Sequence, residues 1–151
     1  MPYCYEYPRP MVTVDMVVIE KVLNSSARLL LIKRKNNPYA GKWALPGGFV
    51  DMDEPLKDAA VRELLEETYI RVADPVEIGA FGTPGRDPRG RNIAVAFGAV
   101  LTSSIYPTGG DDAQDAAMFD INNLPLLAFD HSEIIKKALP ILKNRYKSAF
   151  K

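Results

Sequence analysis

Strand-like segments on either side of one strongly signalled helix, with a second helix closing the chain, predict a mixed α/β (α+β) fold over residues 1–151 as a single domain. Three observations carry that expectation. Met11 to Ile19 (MVTVDMVVI) is β-branched and partly alternating, as a strand is. Asp53-Glu54-Pro55 announces a helix: Asp53 suits an N-cap, and Pro55 suits the first turn, where its missing N–H costs nothing. The order of elements departs from the strict βαβα alternation of a doubly wound sheet.

In chain order, Asn24-Ser25-Ser26 is a turn signal, and Ala27 to Lys33 (ARLLLIK) reads as the returning strand of a hairpin. Asn36 to Gly48 is rich in Asn, Pro and Gly, with Trp43 in a short apolar piece. The helix announced at Asp53 should run to about Tyr69. Val76 to Phe81 and Asn92 to Leu101 read as strands flanking a Gly/Pro/Arg loop, and Ala117 to Ile121 as one more short strand. His131 to about Lys147 has Ile134, Ile135, Ala138, Leu139 and Leu142 at helical spacing. Asp130 is placed to cap it, and Pro140 should kink or divide it.

Composition bounds the function. Apolar residues make up 47% and charged residues 25%, the balance of an ordinary globular protein. Lys plus Arg equal Asp plus Glu at 19 each, so no basic excess favours a nucleic acid polymer as partner. The lone Cys4 closes no intramolecular disulfide, and one histidine leaves no Cys/His zinc set. A metal would be held by oxygen, which selects magnesium, manganese or calcium. The start lacks a signal-peptide pattern and no apolar run spans a bilayer, so a cytoplasmic protein without membrane contact is expected.

The chemistry sits between Gly48 and Ile70. Glu63, Glu66 and Glu67 fall at i, i+3 and i+4, so they share one helix face. Three carboxylates on one face repel unless a cation compensates; Arg62 supplies one charge, and a divalent ion would supply the rest. Alone, such a triplet is more often a solvated acidic face. The surroundings alter that weighting. Gly48, Glu54, Arg62, Glu63, Leu64, Glu66, Glu67 and Ile70 fit the Nudix box, a pattern whose six charged or glycine positions match by chance about once in ten million windows. The chain thus resembles a Nudix hydrolase across nearly its whole length. One position departs: Tyr69 stands where the box has a glycine suited to a left-handed helix end.

The resemblance implies a mixed sheet sandwiched between helices (α/β/α). It implies metal ligation by Glu63, Glu66, Glu67 and the Gly47 carbonyl, with magnesium or manganese as cofactor. Arg62 would orient the glutamates, and Glu54 would support the loop. The implied reaction is hydrolysis of a nucleoside diphosphate derivative, with a carboxylate taking a proton from water; Asp112 and Asp111 are candidates, although turn residues after Gly109-Gly110 are an equally good reading.

The loop Gly82 to Arg91 carries three arginines, whose forks suit phosphate or ribose oxygens; Arg86 and Arg89 are substrate-binding candidates, against a solvated connection. Pro84, about fifteen residues beyond the box, is similar to a marker of the ADP-ribose pyrophosphatase group, and GRDPRGR, GGDDA and AFDHSEII resemble that group as well. ADP-ribose is the expected small-molecule partner. Alternatives are nucleoside triphosphates, dinucleoside polyphosphates, or an ADP-ribose-binding module that no longer cleaves. Phe49 and Trp43 flank the Pro46-Gly47-Gly48 turn and could stack on adenine, though aromatics there are more often core. Lys33, Arg34 and Lys35 could meet phosphate but read more readily as a solvated strand end, and His131 reads as a helix-start residue and not a catalyst. A homodimer is implied by the resemblance, and Tyr3, Tyr5 and Tyr7 would be consistent with a packed arm.

Overall fold

The central strand decides the architecture. In the computed structural model, which describes residues 2–151, β1 (Met11–Glu20) is buried from Thr13 to Glu20 on both faces. That explains its imperfect alternation: a strand covered on both sides reads as a nearly continuous apolar run. Its ten residues pair in parallel with β6 (Asn92–Leu101), from Met11 opposite Asn92 to Glu20 opposite Leu101. β5 (Val76–Phe81) lies antiparallel on the far side of β6, with an irregularity between Glu77 and Gly79. On the other edge β1 meets β2 (Arg28–Arg34) only at Ile19 and Glu20. β2 in turn pairs with β3 (Trp43–Ala44) and with β7 (Ala113–Asp120). The short β4 (Gly47–Phe49) takes the N-terminal end of β1.

Two helices cover this mixed sheet. The even-numbered apolar residues of β1 (Val14, Met16, Val18) meet Ala59, Ala60 and Leu64 of α1 (Leu56–Thr68). The odd-numbered Val17 and Ile19 meet Ile134, Ile135, Ala138 and Leu142 of α2 (His131–Arg145). Each fully buried Leu or Ile in these layers contributes roughly 1.5–3 kcal/mol. The mixed sheet between helices agrees with the expected fold. Among the described residues, no helix is long and apolar enough to cross a membrane.

Several local expectations need correction. The N-cap of α1 is Pro55, with no side-chain cap, so Asp53 does not cap it. Glu54 instead accepts the Asp51 N–H at 2.9 Å and binds Arg62, closing the loop before the helix. Asp130 stands at the N-cap of α2, yet its carboxylate does not cap it; the oxygens go to Arg86. Pro140 does not divide α2, which runs unbroken to Arg145 before a 3-10 turn at Lys147–Phe150. Trp43 belongs to the core, edge-on to Phe119 at 4.8 Å. Tyr3 and Tyr5 stack on each other at 6.2 Å, and Tyr3, Tyr5 and Tyr7 are all exposed. Tyr69 does adopt the left-handed conformation (φ 60°) that the motif glycine would, and its N–H caps the Leu65 carbonyl.

Candidate active site

The site forms where β1 changes partner. β4 holds Thr13 to Asp15 and β2 holds Ile19 and Glu20, and between them the Leu45-Pro46 turn crosses β1, with the Met16 N–H donating to the Pro46 carbonyl at 2.8 Å. Gly47 and Gly48 follow. A Cβ on Gly47 would collide with the Val14 carbonyl, and one on Gly48 would lie 2.5 Å from the Glu63 carboxyl carbon. Glycine is required because backbone and carboxylates approach so closely there.

Helix α1 delivers the acids to this turn. Glu67 is 5% exposed, and its Oε2 accepts the Gly47 N–H at 2.9 Å. Burial, reinforced by the nearby Glu63, Asp15 and Asp112, pushes its carboxyl up to about 8 against the Gly47 hydrogen bond. Burial also raises Glu63, opposed by Arg62. Arg62 is shared: it reaches Glu54 at 2.5 Å, Glu63 at 2.9 Å and Glu66 at 3.2 Å, and donates to the Phe49 carbonyl at 3.1 Å. The Arg62 hydrogen bond to Glu54 holds that carboxyl below its ordinary range. Glu67 has no ion-pair partner among the described residues, whereas Glu54, Glu63 and Glu66 share one guanidinium. Likewise, among the described residues no three carboxylate, imidazole or thiol groups converge as ready ligands.

The donors nonetheless fit a hard divalent cation in kind. Glu63, Glu67, Gly47 and the acids Asp111 and Asp112 line one cleft of about 320 Å³. A buried carboxylate without a countercharge is costly unless a cation joins it. Glu66, by contrast, lies on the exposed flank of α1 beside Arg62. Gly110 is pressed against α1, its N–H donating to the Glu67 carbonyl at 3.0 Å, so the Asp111-Asp112 turn hangs over the cleft. These aspartates are turn residues, Asp111 at positive φ, and they line the cleft.

The arginine loop is largely exposed, but Arg86 and Arg89 are each held by an ion pair. Arg86 is buried, with two nitrogens on Asp130 at 2.9 and 2.6 Å and a third on Asn92 Oδ1 at 2.6 Å. Burial alone would lower its basicity, but Asp130 outweighs that and raises it. Arg89 binds Asp87 at 2.7 Å and remains partly exposed, 5.2 Å from the Phe49 ring centre and 5.7 Å from that of Phe129. Burial pushes Asp87 up, yet its bonds to Arg89 hold it low. Phe49 and Arg89 line the same cleft as the acids, while Arg86 lines the deeper recess of about 50 Å³ that continues it. Pro84 lies elsewhere, in an open groove with Phe81, Thr83 and Lys137.

Sequence reasoning missed the floor of the site. His131 is 4% exposed; its Nδ1 accepts the Leu45 N–H at 3.0 Å, so the proton of the neutral ring sits on Nε2, 3.5 Å from Asp15. Burial lowers His131 and raises Asp15, each tempered by the other. His131 starts α2, as expected, but it also holds the turn that leads to Gly47. Arg34 lines both recess and cleft, 5.0 Å from the Phe129 ring, with its basicity lowered by burial and then by Arg89. One signal was available: Asp15 is the single charge inside an otherwise apolar strand segment. Such a buried acid has a partner or a task.

Comparison with known proteins identifies the family. The NUDIX domain family model matches residues 11–140. An ADP-ribose pyrophosphatase of Methanocaldococcus jannaschii is 45% identical over 120 residues, 80% of this chain and 70% of that protein. The chain therefore belongs to the Nudix family and is a Nudix pyrophosphohydrolase. Two further relatives are themselves connected with ADP-ribose. An ADPR-responsive transcriptional repressor of Acinetobacter baylyi is 35% identical over 93% of this chain, which spans only 57% of that protein's length. The NUDIX domain of Shewanella oneidensis NrtR, solved in complex with ADP ribose, is 29% identical and superposes with a TM-score of 0.80, covering 89% of each chain.

Proposed function

We propose that the chain hydrolyses the pyrophosphate of ADP-ribose to AMP and ribose 5-phosphate, using magnesium or manganese. The observation that carries this is the meeting, in one cleft, of Glu63, Glu67 and the Gly47 turn with Arg89, Phe49 and the Asp111-Asp112 loop. Likeness to an ADP-ribose pyrophosphatase and to a domain that binds ADP ribose supports the choice of substrate.

When bound, a divalent cation lowers the pKa of the attacking water and neutralises charge on the pyrophosphate. Glu63, Glu67 and the Gly47 carbonyl would hold it, with Glu66 joining on release from Arg62. Arg62 keeps Glu54 and Glu63 in register. Asp112 or Asp111 takes the proton of the water whose oxygen adds to one phosphorus; the bridging P–O bond breaks, and its electron pair leaves with the other phosphate. Arg34 and Arg89 orient phosphate and ribose oxygens. The same reading takes a homodimer, for which Tyr3, Tyr5 and Tyr7 offer exposed aromatic surface.

The test is a product assay with magnesium in which ADP-ribose is compared with a nucleoside triphosphate, a dinucleoside polyphosphate and NADH. AMP and ribose 5-phosphate should form fastest from ADP-ribose and cease with a chelator. Preference for another nucleotide would discard ADP-ribose, and tight ADP-ribose binding without turnover would make the chain a sensor.

A further inference from the structure

One residue lining the recess beside the acidic cleft, Asn92, carries a buried polar atom that the fold leaves unused. Asn92, at the start of β6, is 1% exposed, and its Nδ2 has no hydrogen-bond partner among the described residues. The orientation of its carboxamide is set by its neighbours. Oδ1 accepts from Arg86 Nη1 at 2.6 Å and from the Thr13 hydroxyl at 3.2 Å. A flipped amide would turn an NH2 group toward a guanidinium that can only donate, so Nδ2 is committed as a donor. Arg86 is itself fixed by Asp130 on its other two nitrogens, so the amide cannot turn without breaking a buried ion pair.

A buried donor without an acceptor is costly, and folds rarely retain one without a reason. Asn92 lines the recess together with Thr13, Arg34, Arg86 and the Phe129 ring, and the recess opens beside Gly47 and Glu67. The recess is open on one side, so an edge or a hydroxyl of a nucleoside can enter it. We infer that Asn92 is a specificity-determining residue: its Nδ2–H donates to an acceptor atom on the nucleoside end of the substrate, either a purine ring nitrogen or a ribose hydroxyl oxygen. Arg86, Asp130 and Thr13 are positioning residues that aim this donor. The inference rests on the proposed pyrophosphatase reading for the identity of the substrate, and on Asn92 alone for the contact.

The wild-type enzyme provides a first test that needs no variant. ADP-ribose is compared with analogues in which one adenine nitrogen is replaced by CH or one ribose hydroxyl by hydrogen. One analogue should lose about 10–100-fold in kcat/KM because Nδ2 is then left unmatched in the complex. A deaza analogue would name the base as the source and a deoxy analogue the ribose. If every analogue performs within about threefold of ADP-ribose, the inference is overturned. Asn92→Asp is the second test, because it keeps an oxygen for Arg86 and Thr13 while turning the donor into an acceptor. It should raise KM for ADP-ribose about 10–100-fold, more than it lowers kcat, and should erase discrimination against the sensitive analogue. Retained discrimination would overturn the inference; Asn92→Ser, which also lacks the amide donor, decides the point if the aspartate variant does not fold. Should another nucleotide prove to be the substrate, the pyrophosphatase reading for ADP-ribose fails, and the same comparison with that nucleotide's deaza and deoxy analogues judges Asn92 separately.

Discussion

Glu67→Gln separates what the buried carboxylate does for the chemistry from what it costs the fold. Burial moves the Glu67 carboxyl from an ordinary value of 4.5 to about 8 when no cation is present. Between those values the folded chain holds a proton that the unfolded chain has released, so stability falls as pH rises. At roughly 1.4 kcal/mol per pH unit, the loss accumulated by pH 7 is on the order of 3 kcal/mol. Glutamine keeps the shape and an oxygen for the Gly47 N–H but cannot ionise. The cation-free variant should therefore outlast the cation-free wild type at pH 7, with a melting temperature higher by roughly 5–10 °C for a chain of this size. The two should converge near pH 4.5, and magnesium should raise the wild type more than the variant. Turnover should fall at least about 100-fold, because a charge partner of the cation is gone. Thermal melts in chelator and in magnesium from pH 4.5 to 8, with turnover on the same samples, provide the assay. A variant that is fully active, or one whose cation-free stability tracks that of wild type across the whole pH range, would refute the assignment of Glu67 as a buried metal-holding acid.

The two loop arginines should separate. Arg86→Ala strands Asp130 and removes a partner of Asn92, so it should cost about 3–5 kcal/mol in a urea titration. Arg89→Ala leaves the buried Asp87 carboxylate with only the backbone N–H of residue 89, should cost about 1–3 kcal/mol, and should act on turnover mainly by raising KM. Tyr69→Gly relieves a left-handed tyrosine and should stabilise the chain by about 1 kcal/mol without altering turnover, as read by melting and initial rates.

Elements with their own periodicity or end signals were legible in the sequence, and those made by distant partners were not. The central strand, the hairpin, both helices and the acidic triplet follow from local pattern. The two-residue β3 and three-residue β4 have no period to read; they exist because β2 and β1 offer edges to pair with. Tyr69 shows the converse case, where the helix-end geometry expected of the motif persists without its glycine. Side chains that meet only in the folded chain could not be paired in advance: His131 with Leu45 and Asp15, and Arg86 with Asp130 and Asn92. For the same reason Asp130 misled as a helix cap, since a buried guanidinium nearby competes for its oxygens more strongly than a backbone N–H does.

The ladder joining β1 to β6 also sets a timetable for the nascent chain. Met11 waits for Asn92 and Glu20 for Leu101, so the middle strand of the sheet has its long parallel neighbour only after two-thirds of the chain has been made. Helix α1, whose carboxylates repel one another, is synthesised before that neighbour exists, and the Leu45 N–H finds its imidazole acceptor only once His131 emerges. Until then the apolar β1 has only short antiparallel partners, an exposed state prone to association with other chains. The Gly47 turn thus gains its His131 contact only late in synthesis, and a chain broken before residue 131 would carry the whole acidic motif without the clamp that shapes the candidate site.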